Sequence, residues 1–283
     1  MDGAGFRGFL DQLGEAAGPA GGGAPHGPIN RVVASRVDST NRLARRVVAT
    51  YAAEEMPPPD FLVFAFEQTA GRGRQGRSWA SPRGCGVYAT RVLPLPERLA
   101  EADALQSLPL LAGVGLARAL AGLLERGGAR GRAALKWPND LLIEGRKAGG
   151  VLAEALALGS GPPVALIGFG LNHLRPREGP ELPPGATCLA DHLADPPPLG
   201  RVARALAAGL EAELAHLGDL PRATAAYREL AVHRPGDRLR CRVGAEVIEG
   251  AFEGFDDRGH LVLRQGGDRV RIAAGEIVEE NEP

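Results

Sequence analysis

The chain has 283 residues, 44% of them hydrophobic, with a formal net charge of -1 and a pI near 6.6. That length supports one substantial core plus a smaller domain. The charge balance argues against a general nucleic-acid or anionic-membrane binder, which carries a broad excess of cations, so any basic patch must be local. Three cysteines far apart in sequence, with no CxxC pair, fit a reducing cytoplasm rather than a disulfide scaffold. No signal peptide is legible at the N-terminus, and no later run is expected to reach membrane-spanning length.

In chain order, residues 1–28 are rich in Gly, Ala and Pro, with Pro19-Ala20-Gly21-Gly22-Gly23-Ala24-Pro25, and are expected to form a largely disordered arm. Arg31-Val32-Val33 reads as a short strand. Ser39 or Thr40 can cap a helix whose apolar face is Leu43, Val47, Val48 and Tyr51. Phe61 to Phe66 reads as a strand buried on both faces, and Gly86 to Val92 as another. Ser107 and Pro109 suit the start of a long, buried helix through Leu124. Short strands at Ala133 to Trp137 and Leu141 to Ile143 flank Pro138-Asn139-Asp140. The turn Glu144-Gly145 leads into strands over Val151 to Leu158 and Val164 to Leu171. Two amphipathic helices follow, carrying Val202, Leu206, Leu210, Leu214 and Leu217, then Tyr227 and Leu230. From Pro235 onward, alternating apolar residues between Gly and Asp turns predict a small all-β module. The expected division is an arm over 1–28, a catalytic domain over 29–233 and a small C-terminal domain over 234–283.

Four motifs carry chemistry. Gly71-Arg72-Gly73-Arg74-Gln75-Gly76-Arg77-Ser78-Trp79 follows a buried strand, combining a backbone that can approach an anion with guanidinium forks suited to phosphate or carboxylate. With no acidic residue of its own, this loop is expected to repel itself when empty and to order around a charged ligand. Lys136-Trp137-Pro138-Asn139-Asp140 can hold Lys136 rigidly toward a pocket, although the same string also suits a plain hairpin turn. Only Lys136 and Lys147 among the 33 basic residues are lysines. Ser39-Thr40-Asn41 can either bind a urea-like group or cap a helix. Gly168-Phe169-Gly170-Leu171-Asn172 can permit close ligand approach or simply end a strand.

Taken together and in order, these strings, with Glu67-Gln68-Thr69 and Lys147-Ala148-Gly149-Gly150-Val151-Leu152, resemble the biotin protein ligase family from about Ile29 to the C-terminus. The resemblance implies an α/β (α+β) fold: a mixed-sheet catalytic domain of the biotin/lipoate ligase type and a C-terminal SH3-like β-barrel. It implies biotin activation by ATP to biotinyl-5′-AMP, with Mg²⁺ accompanying ATP through ligands that the sequence does not reveal, then transfer to a lysine of a biotin carboxyl carrier protein. It implies biotin binding by Ser39, Thr40, Asn41, Gln68, Arg72, Gly73, Arg74 and Lys136, and nucleotide binding by Arg74, Trp79, Asn139, Lys147 and Asn172. Catalysis falls to Arg72, Arg74 and Lys136. A homodimer through a sheet edge is also implied. Members that double as repressors carry a helix-turn-helix domain; with 38 residues before Ser39, no repressor function and no specific DNA binding are expected here. Two alternatives stay open: a lipoate or octanoate ligase or transferase, and a nucleic-acid module using the basic loop and the barrel.

Overall fold

The structure, a computed structural model, describes residues 3–14, 30–95, 102–129, 131–157, 163–178 and 181–278. Its centre is a seven-stranded mixed sheet in the order β1-β2-β3-β7-β6-β5-β4. The strands are β1 Asn30–Ala34, β2 Phe61–Ala65, β3 Gly86–Pro94, β4 Ala133–Lys136, β5 Asp140–Ile143, β6 Arg146–Leu156 and β7 Val164–Asn172. Only β1 and β2 run parallel, joined by helix α2 (Thr40–Ala53); the other neighbours are antiparallel. Every residue of β2 is buried, as its unbroken apolar run predicts.

The two faces of this sheet are occupied differently, and that difference makes the site. On one face Ala44 and Val48 of α2 pack on Phe61, Val63, Val92, Val164 and Leu166. On the other, α3 (Ala102–Arg126) lies with α4 (Leu199–Leu214) and α5 (Leu220–Leu230) over Leu62, Phe64, Val87, Ala89 and Ile167. Small residues let the two long helices approach closely: a Cβ on Gly115 would stand 2.4 Å from the Gly209 carbonyl oxygen. The helix begins at Ala102, earlier than Ser107 and Pro109 suggested, and Pro109 falls inside it. Ser107, fully buried, accepts a hydrogen bond from the Gly218 amide rather than starting the helix. The stretch Leu105–Arg126 also corrects the expectation about spanning segments, since it is long and apolar enough to cross a membrane by length and composition. It is apolar because it fills the core, where Leu111, Val114, Leu116 and Leu120 are at most 1% exposed.

The N-terminal arm is corrected in part. Gly3–Gly14 forms a helix, α1, whose Phe9 and Leu13 are buried. Phe9 meets Phe64 and Phe66 with ring centroids 6.3 and 5.7 Å apart, and the Gln12 side chain accepts from the Gly200 amide. Phe6, Phe9, Leu10 and Leu13 have helical spacing; the arm's Gly/Ala/Pro composition masked that signal. The Pro19-to-Pro25 run lies outside the described residues.

Two other details place the site. Glu144 and Gly145 both have positive φ, 50° and 74°, the backbone of a tight hairpin, so β6 starts directly at Arg146 and takes Lys147 onto a strand. The C-terminal module is a five-stranded antiparallel sheet, β11-β10-β9-β8-β12, built from β8 Arg238–Val243, β9 Glu246–Phe255, β10 Leu261–Gln265, β11 Asp268–Ile272 and β12 Glu276–Val278. It docks on the larger unit through Phe255 against Tyr227, centroids 5.4 Å apart, and through a hydrogen bond from the Trp137 indole to the Gly259 carbonyl at 3.3 Å. Its inner residues, among them Leu239, Phe252, Leu263 and Ile277, continue the main core.

Candidate active site

A cleft opens on the α2 face of the sheet, where side chains have been removed from its floor. Going along β7, Val164 and Leu166 lie under α2, and the next two positions on that face are Gly168 and Gly170. A Cβ on Gly168 would stand 2.2 Å from Asn41 Oδ1, and one on Gly170 would stand 2.9 Å from Trp79 Nε1. Both glycines are therefore required by the close approach of Asn41 and Trp79, two side chains that line the cleft.

At one end of the cleft are Ser39, Thr40, Asn41 and Gln68. Ser39 occupies the N-cap position of α2, yet its side chain makes no capping hydrogen bond. The Gln68 amide is fixed at both ends: Oε1 accepts from the Thr40 amide (2.8 Å) and hydroxyl (3.2 Å), and Nε2 donates to Ser81 Oγ at 2.8 Å. Asn41 donates through Nδ2 to Glu154 at 3.0 Å, and its Oδ1 accepts from the Thr90 hydroxyl at 2.6 Å. These amides and hydroxyls form a neutral, rigid polar wall.

The cationic part of the same cleft adjoins this wall. The Gly-Arg loop is a closed hairpin: Arg72 bridges Ser78, the Gly73 amide donates to the Arg77 carbonyl, and the Trp79 amide donates to the Gly71 carbonyl. The loop carries no acid, as the sequence indicated, but carboxylates reach it from elsewhere in the fold: Arg72 lies 3.9 Å from Glu154 of β6, and Arg77 pairs with Glu276 of β12. Arg74 is within 3.5 Å of both Asn139 Oδ1 and the Gly275 carbonyl, wedged between the two sheets. Burial there lowers the Arg74 guanidinium pKa, and nearby Asp140 counteracts the shift.

The Lys-Trp-Pro-Asn-Asp string spans the β4–β5 hairpin, with a cis Trp137–Pro138 bond. Asn139 Nδ2 donates to the Val151 carbonyl at 2.8 Å, locking the turn against β6. Lys147 pairs with Asp140 at 2.6 Å and sits 5.9 Å from the Trp79 ring centroid. Among the described residues Lys136 forms no ion pair, so of the two lysines it is the one whose charge is uncommitted.

Ser39, Thr40, Asn41, Gln68, Arg72, Gly73, Arg74, Trp79, Lys136, Asn139 and Lys147 thus line one cleft. Asn172 does not: it is buried, and its Nδ2 donates to the Thr187 carbonyl at 3.0 Å, tying the end of β7 to the following segment. Glu154, Thr90, Gly275 and Glu276 were not picked out from sequence. Thr90 alone carried a signal, as a hydroxyl in a strand otherwise rich in apolar residues.

The chain and its fold are similar to those of known proteins. The biotin/lipoate A/B protein ligase family matches residues 33–172, and the biotin protein ligase C-terminal domain matches 239–278. A biotin--[acetyl-CoA-carboxylase] ligase of Paracoccus denitrificans is 33% identical over 249 residues, covering 86% of this chain and 98% of that protein. One from Mycobacterium tuberculosis is 34% identical, covering 77% of this chain and 78% of that protein. In fold, the chain is similar to the Aquifex aeolicus biotin protein ligase solved with biotin and ATP, with a TM-score of 0.69 and 24% identity over 88% of this chain and 97% of that one. Matched on both of its sheets and along nearly the full length of a relative, this chain belongs to the biotin protein ligase family.

Proposed function

We propose that the cleft binds biotin along the wall of Ser39, Thr40, Asn41 and Gln68, and ATP toward Trp79, Asn139 and Lys147. The reacting groups then meet beneath Arg72, Arg74 and Lys136. The biotin carboxylate attacks the α-phosphorus of ATP, the bond to the bridging oxygen breaks, and pyrophosphate leaves with biotinyl-5′-AMP held in place. The neutral amine of the acceptor lysine then attacks the acyl carbon; the bond from that carbon to the phosphate oxygen breaks, AMP leaves, and the nitrogen gives up a proton as the amide forms. The acceptor is a biotin carboxyl carrier protein. The observation that carries this reading is that one cleft holds both a neutral polar wall and a set of cations, the uncommitted Lys136 and two loop arginines. Bringing two anions together is unfavourable unless fixed cations offset their repulsion and the charge that grows in the transition state, and such groups act best where water is excluded.

Magnesium enters with ATP as substrate. Among the described residues the carboxylates lining the cleft, Asp140 and Glu276, are ion-paired with Lys147 and Arg77. The three cysteines are free, in keeping with a reducing cytoplasm. Strands β1 and β4 end the sheet order, and a homodimer would form through such a sheet edge.

Incubating the protein with ATP, Mg²⁺ and biotin, with lipoate in parallel, tests the proposal through pyrophosphate release and mass spectrometry of the bound adenylate. Selective biotinyl-adenylate is expected; folded protein that activates neither acid sinks it. Gly168→Ala is expected to push Asn41 aside, weakening biotin binding measured by calorimetry and costing about 1–3 kcal/mol of stability by overpacking.

A further inference from the structure

One carboxylate outside the cleft lining touches both halves of the biotin end. Glu154, on β6 opposite Leu166 of β7, is partly buried, with 23% of its side chain exposed. Its Oε2 accepts from Asn41 Nδ2 at 3.0 Å, while Oε1 lies 3.4 Å from Arg45 of α2 and 3.9 Å from Arg72 of the loop. Three segments distant in sequence (α2, the Gly-Arg loop and β6) therefore converge on one side chain.

We propose that Glu154 is a positioning residue for the ligase reaction, acting on substrate through Asn41 and Arg72. This rests on the biotin-ligase reading above. For Asn41, the carboxylate settles which way the amide faces. A carboxylate can only accept, so Nδ2 must point to Glu154 and Oδ1 to Thr90, and the cleft receives an amide in one fixed orientation. For Arg72, the carboxylate supplies the counter-charge that the loop lacks. At 3.9 Å and with 36% of the Arg72 side chain exposed, the pair is loose enough to let the guanidinium turn toward an anionic ligand while keeping the loop over the cleft. Arg45, on the exposed side of α2, shares the same oxygen and limits how far the carboxylate can follow Arg72.

The two roles separate by substitution. Glu154→Gln keeps an oxygen that can accept from Asn41 but removes the charge, so biotin affinity without ATP should stay within about threefold of wild type, while bound biotinyl-adenylate should dissociate about tenfold faster. Glu154→Ala removes both, and biotin affinity should also fall about tenfold. Calorimetry with biotin, release of adenylate in the absence of acceptor, and melting temperature are the measurements. Unchanged biotin affinity and adenylate release in both folded variants would overturn the proposal. If Glu154→Ala does not fold, the cycle of Glu154→Gln with Arg72→Gln decides: non-additive effects on adenylate release support coupling, and additive effects overturn it. Wild-type protein that fails to make the adenylate would sink the ligase reading instead, and the control arm reports that separately.

Discussion

Replacing Lys136 by alanine is expected to slow adenylate formation by about 10²–10³-fold while leaving the melting temperature close to wild type. The asymmetry between the two lysines is the reason. Lys147 is already neutralised by Asp140 at 2.6 Å, whereas Lys136, at the end of β4, keeps a free charge facing the cleft. The second lysine therefore supports the hairpin and the first is left for substrate anions. Because the hairpin backbone around Lys136 is held by Asn139 and the β5 pairing, loss of the ammonium should not let the turn collapse. Lys136→Arg should not restore the rate, since a planar guanidinium on a shorter stem places its charge differently from a compact ammonium. Single-turnover pyrophosphate release measures this. A Lys136→Ala rate within a factor of about three of wild type would remove Lys136 from the chemistry.

The largest expected effect on stability comes from a residue with no part in the cleft. Arg91 lies on the helix-covered face of β3 and is completely buried, bonded to Glu211 of α4 at 2.7 Å and to Asp60 at 2.5 Å, and donating to the Val92 carbonyl. Arg91→Ala leaves the Glu211 carboxylate in the interface between sheet and helix with its cation gone, an uncompensated charge that costs about 3–5 kcal/mol. For a chain of this size that lowers the melting temperature by on the order of 10 °C. Replacing Arg91 and Glu211 together by apolar residues of similar length should recover most of the loss, because it is the stranded charge, more than the missing attraction, that destabilises. Thermal unfolding of the single and double variants checks both. A single variant as stable as the double would show that the carboxylate escapes to water.

Much of this molecule was legible in its sequence because the relevant signals are local. The apolar run of β2, the spacing of Val202, Leu206, Leu210 and Leu214 in α4, the alternation of the C-terminal module and the Gly-Arg and Lys-Trp-Pro-Asn-Asp strings each report a backbone preference or a burial pattern within about ten residues. Composition misled where it outweighed periodicity, as in the Gly/Ala/Pro-rich arm that hid α1, and where a capping pattern ignored the preceding turn, as at the start of α3. The cleft's charge pairing was a different kind of question. Asn41 meets Glu154 across 113 residues and Arg74 meets Gly275 across 201, so neither partner leaves a trace near the other in sequence. The sequence by itself determined most of the elements, the family they belong to and which side chains can bind anions. Only the tertiary structure decided which of those side chains are already satisfied: Lys147, Asn139 and Asn172 are committed to internal partners and Lys136 is not, because ion pairing and hydrogen bonding depend on distances that the sheet order and the docking of the barrel impose.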